Sequence, residues 1–68
     1  MSAEPKYPEI EVQLSGEDGN AFMIIGRVRA AMRRADLTAD QIKEFSDEAM
    51  SGDYDNVLRT CMRYVSVA

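Results

Sequence analysis

The chain has 68 residues, 46% of them apolar, with a formal net charge of −4, no histidine and a single cysteine. This length allows one domain near the lower limit for a self-sufficient core, and the apolar fraction is too high for a disordered chain. Imidazole metal sites and histidine-based nucleophile pairs are excluded, as is an internal disulfide, and no apolar run approaches the roughly 20 residues that span a bilayer.

Cys61 alone, with no basic-then-apolar start, suits a reducing compartment, and the expected location is cytoplasmic. The charge is unevenly spread. Residues 1–20 carry Lys6 against five acids, residues 21–35 carry four arginines and no acid, and residues 36–55 carry Lys43 against seven acids. A basic segment therefore lies between two acidic ones. It can be neutralised by its neighbours in the fold or kept as a docking face, because local rather than net charge decides binding.

Residues 1–7 read as a flexible N-terminus, and residues 8–68 as a single compact domain. Glu9-Ile10-Glu11-Val12-Gln13-Leu14 alternates polar with aliphatic, the period-2 pattern of a half-buried strand. Pro8 suits the start or edge of such a strand. Residues 15–20 hold two glycines and turn-forming side chains. A phosphate loop is disfavoured there by Glu17 and Asp18 and by the missing Lys-Ser/Thr pair. A calcium loop is disfavoured by the spacing of the oxygen ligands.

Asn20 to Ala35 reads as one amphipathic helix with Asn20 as its N-cap. At about 100° per residue, Ala21, Ile24, Ile25, Val28, Ala31, Met32 and Ala35 share one stripe, and all four arginines lie outside it. Gly26 weakens the helix unless another element packs closely there. Thr38 followed by Gln41 is a capping box, and Leu37 with Ile42 makes a hydrophobic staple. These open a second helix with Ile42, Phe45, Ala49 and Met50 on its buried edge, closed by Gly52 as a C′ residue. Asp53 caps a third helix whose expected stripe is Tyr54, Val57, Leu58, Cys61, Met62 and Val65. The closing Val65-Ser66-Val67 is β-branched and is expected to extend beside the first strand. The fold class is thus α+β, a helix-dominated mini-domain with an N-terminal strand, three helices and a short C-terminal strand.

Gly16-Glu17-Asp18-Gly19-Asn20-Ala21-Phe22, followed by Ser51-Gly52-Asp53-Tyr54-Asp55 and a closing aromatic-Val-x-Val, resembles a family of small uncharacterised proteins of phages, prophages and bacterial genomes. The resemblance runs from about Pro8 to Val67. It implies a bacterial or phage setting and a short single-domain protein, and it transfers no functional residue.

No catalytic set emerges from the residues themselves. Cys61 falls mid-stripe, where an inert buried thiol is expected. The acids of the second helix lie on a wet face, and Asp53 and Asp55 are accounted for by capping. The expectation is a non-enzymatic protein with no cofactor, metal or small-molecule substrate. Met23, Arg27, Ala30 and Arg34 follow at intervals of four, three and four on the helix face away from the stripe. An adaptable methionine between arginines resembles a helix-contact surface, so these four are the expected partner-binding residues, for a protein partner or a homo-oligomer. The alternative is nucleic-acid binding by Arg27, Arg29, Arg33 and Arg34 with Arg59 and Arg63, against which stand the acidic total and the lack of a basic tail.

Overall fold

The computed structural model describes residues 4–13 and 20–67. The elements follow in the order β1 (Tyr7–Val12), α1 (Ala21–Arg34), α2 (Ala39–Ala49), α3 (Tyr54–Tyr64) and β2 (Val65–Val67). This is the expected strand, three helices and short strand. The terminal strands meet within one chain as a parallel pair, with Tyr7 opposite Val65, Glu11 opposite Ser66 and Val12 opposite Val67. The irregular register between Tyr7 and Glu11 spans Pro8, which has no N–H to give to a ladder. Its carbonyl instead accepts from Ser66 Oγ at 2.8 Å.

A two-stranded sheet is marginal in water, so β1 and β2 depend on what lies beneath them. Ile10, Val12 and Val65 are buried with Ile24, Ile25, Val28 and Met32 of α1, Ile42, Phe45 and Ala49 of α2, and Val57, Cys61 and Tyr64 of α3. Glu9, Glu11 and Gln13 are exposed, as the alternation predicts. The strand begins earlier than expected, at Tyr7, and Lys6 N–H donates to the Arg63 carbonyl at 2.8 Å. The last residues of the expected flexible terminus are therefore held. Leu14 and the turn over 15–19 lie outside the described residues.

α1 starts where the sequence places it. Asn20 Oδ1 accepts from the backbone N–H of Phe22 at 2.9 Å and of Met23 at 3.4 Å, filling two of the donors every helix start leaves open. Ile24, Ile25, Val28 and Met32 are buried and Ala21 and Ala31 half-buried, but Ala35 is exposed because the helix ends at Arg34 and Ala35 is its C-cap. Nothing packs within 4 Å of a Cβ built on Gly26, so the expected close approach is not there. The chain leaves α1 through Asp36, whose φ of 67° is left-handed. Asp36 N–H then reaches the Arg33 carbonyl at 3.0 Å and Leu37 N–H the Met32 carbonyl at 3.1 Å, which is a Schellman closure. Glycine adopts that φ without a Cβ penalty. Asp36→Gly is therefore expected to raise stability by about 0.5–1 kcal/mol, read as a higher denaturation midpoint at unchanged slope.

The capping box of α2 is complete: Thr38 Oγ1 accepts from Gln41 N–H at 3.2 Å, and Gln41 Oε1 accepts from Thr38 N–H at 2.8 Å. Ile42, Phe45 and Ala49 are buried, but Met50 is 54% exposed. It is the C-cap, and the chain turns away there before a further buried position can form. At the α2–α3 corner Asn56 Nδ2 donates to two of the last carbonyls of α2, those of Glu48 (2.9 Å), which also accepts from Ser51 Oγ at 2.7 Å, and Ala49 (3.3 Å). Gly52 serves this contact rather than a left-handed C′ position. A Cβ there would lie 2.9 Å from Asn56 Cβ, and its φ is outside the left-handed range.

Asp53 caps α3 through its carboxylate, which accepts from Asn56 N–H at 3.0 Å. The buried face of α3 is Val57, Thr60, Cys61 and Tyr64, rotated from the expected stripe. Tyr54 and Met62 are exposed and Leu58 is half-buried. Both sets have helical spacing, but only one places Tyr64 where its hydroxyl donates to Glu48 Oε1 at 2.9 Å and its ring meets Phe45 edge-on at 5.3 Å. Glu48, expected on the wet face of α2, is half-buried and also pairs with Arg63 at 2.5 Å.

Burial first, then the hydrogen bond to and charge of Glu48, push the Tyr64 phenol up to about 12. Burial pushes the Cys61 thiol up to about 11. Both groups hold their protons more tightly folded than unfolded. Their contribution is present below the ordinary values of 10.0 and 9.0 and is lost as pH climbs through the folded ones. Denaturation midpoints are expected to fall steadily from about pH 9 to 12. Tyr64→Phe should flatten the upper part of that fall, and an equal fall in the variant would refute the assignment.

Candidate interaction surface

α1 carries three faces: the buried stripe, a flank turned towards β1 and a flank turned towards α2. Of the four expected partner-binding residues, Arg27, Ala30 and Arg34 occupy the β1 flank, and all four, Met23 included, are exposed. Rather than pointing directly away from the core, Arg27, Ala30 and Arg34 line a shallow groove of about 220 Å³ with Glu11, Val12 and Gln13. Arg27 donates to the Gln13 carbonyl at 3.3 Å. Met23, nearer the helix start, is 48% exposed.

An apolar surface lies where the first turn of α1 meets the α2–α3 corner. Phe22 is 75% exposed, and it lines one depression of about 300 Å³ with Met50 from the end of α2 and Tyr54 from the start of α3. The floor of that depression is formed by Ala21, Ile25, Ala49 and Val57. The expected stripe of α1 leaves Phe22 out, whereas Met50 and Tyr54 are expected on buried faces. Their clustering depends on the α2–α3 corner lying against the first turn of α1, which neither helix encodes alone.

The arginines do not form one patch. Arg27 and Arg34 border β1, Arg29 and Arg33 border α2, and Arg59 and Arg63 belong to α3 beside Glu4, Asn56 and Met62. Ion pairs among the described residues are Lys6–Glu44, Lys43–Asp47 and Arg63–Glu48. Arg29, Arg33, Arg34 and Arg59 enter none of them. The expected neutralisation of the basic helix by neighbouring carboxylates is thus not made at Arg29, Arg33 and Arg34 by any described acid.

Cys61 is fully buried, and the same burial that raises its pKa suppresses the thiolate. Asp53 is engaged as a cap. No group of three or more potential metal-ligating side chains occurs among the described residues, and no helix there is long and apolar enough to cross a membrane. Comparison with protein-family models, curated proteins and solved structures finds no match for the chain.

Proposed function

We propose that this is a small non-enzymatic interaction protein, working in the cytoplasm of a bacterial or phage-infected cell, that binds a protein through the exposed face of α1. The observation that carries this reading is the exposed apolar cluster of Phe22, Met50 and Tyr54 around one depression, with exposed Met23 next to Phe22 in the chain, on an otherwise highly charged chain. Aromatic and methionine side chains are the types enriched where proteins meet. The partner best matched is a second copy. The apolar cluster lies between a helix with four arginines and a corner with Asp53 and Asp55. A twofold contact brings each half against its complement. Met23, Arg27, Ala30 and Arg34 are the flank of that contact.

The test is solution mass by light scattering across a concentration series, for the parent chain and for Met23→Glu/Ala30→Glu and Phe22→Glu variants. All three positions are exposed, so the helical circular dichroism should not change. The expected result is a dimer mass for the parent and a monomer mass for both variants. A monomer at every concentration removes the second copy as the partner.

A further inference from the structure

A second surface, distinct from the apolar cluster, lies in the cleft between α1 and α2. Arg29 and Arg33 are one turn apart on α1, and Lys43 and Ser46 are one turn apart on α2. With Ala39 and Ile42 they enclose a cleft of about 250 Å³. Ser46 is only 7% exposed, and its hydroxyl is a buried polar atom with no hydrogen-bond partner among the described residues. Such a group ordinarily bonds back to the carbonyl four residues earlier or finds some other acceptor. Left alone it is costly, and the serine that carries it is one of the residues lining a cleft rimmed by three cations.

We propose that this cleft binds a phosphate-like oxyanion, either free phosphate or a phosphoryl group carried by a larger molecule. Each side chain has a part in that binding. Arg29 and Arg33 enter no ion pair among the described residues, and guanidinium forks match the oxygens of phosphate. Lys43 is held by Asp47 at 2.7 Å and contributes a neighbouring positive charge that is already partly balanced. Asp40, the other acid acting on Lys43, is also on α2. Both guanidiniums thus remain as net positive charge on the cleft. The start of α2, where Ala39 lines the cleft, adds the positive end of a helix dipole. Rotation about χ1 of Ser46 turns its hydroxyl to the cleft, where it donates to an oxygen of the bound anion and gains the acceptor it otherwise lacks among the described residues.

The experiment is an amide NMR titration of the full chain with inorganic phosphate, adenosine monophosphate and, as control, sodium chloride at matched ionic strength. The expected result is a saturable shift centred on Arg29, Arg33, Lys43 and Ser46. A tighter response to the monophosphate would point to a carried phosphoryl group, and an equal or stronger response to phosphate would point to the free anion. Arg29→Ala/Arg33→Ala should weaken binding at least tenfold, and Ser46→Ala about threefold, while both keep the parent's circular dichroism. Ser46→Ala should also be at least as stable as the parent without phosphate, since it removes the lone hydroxyl. A non-saturable response, a chloride response equal to phosphate, or undiminished affinity in either variant overturns the site. None of these outcomes depends on whether the chain dimerises.

Discussion

Phe45→Ala is expected to leave little folded protein at 25 °C. Phe45 is fully buried, the largest such side chain in the core, and its ring meets Tyr64 edge-on. Removing a buried phenyl group costs about 3–5 kcal/mol through lost transfer energy and the cavity left behind. At roughly 0.05–0.15 kcal/mol per residue, the 68-residue domain holds about 3–10 kcal/mol in all, so the loss takes much or all of it. The loss also reaches beyond α2. Tyr64 rests on Phe45 and carries the bond to Glu48, so the α2–α3 contact loosens with the ring. Loss of the cooperative denaturant transition, read by circular dichroism, is the expected outcome. A retained transition with a midpoint shift worth under about 1 kcal/mol would contradict the packing described.

Val65→Asp should be at least as damaging, for an electrostatic reason. Val65 is fully buried where α3 passes directly into β2, and its N–H closes α3 on the Cys61 carbonyl. A carboxylate there sits among the buried apolar side chains of the core and must either ionise in that site or stay protonated at neutral pH. Burying an unpaired charge costs several kcal/mol, enough to detach β2 and leave β1 without its ladder. The sign with pH follows from linkage. The buried carboxyl is raised above its unfolded value, so the cost shrinks as pH falls. Residual structure should be lower at pH 7 than at pH 5. Val65→Ala separates the two causes, since it keeps the cavity cost without the charge.

The local features were legible in the residues because their chemistry is local. Asn20, Thr38 with Gln41, and Asp53 each bond to backbone within three residues, and a motif that short is fully written in the chain. The alternation of Glu9 to Gln13 reported a half-buried strand for the same reason: a neighbouring residue already faces the other side of the sheet. The α3 face was misread because Tyr54, Val57, Leu58, Cys61, Met62 and Val65 also have helical spacing. Two overlapping stripes fit the periodicity, and the one that is buried is the one whose Tyr64 reaches Phe45 and Glu48. Met50 was misread for a related reason, since periodicity continues past the point where a helix stops.

The candidate surfaces were only half legible. The spacing of Met23, Arg27, Ala30 and Arg34 marks one flank of α1. It carries no information that Phe22 will stand beside Met50 and Tyr54, 28 and 32 positions further along. Ser46 carries no signal in the sequence, because a serine inside a helix is ordinary until its surroundings are known. By itself the sequence determined the helices, their starts, the strand pattern and the α+β class, since these follow from side chains acting on backbone within a turn or two. Which helix faces were covered, which acids and arginines met, and the cleft that isolates the Ser46 hydroxyl were decided only by tertiary structure. Those depend on how three helices settle against one pair of strands, and that arrangement is a compromise among all the apolar faces at once.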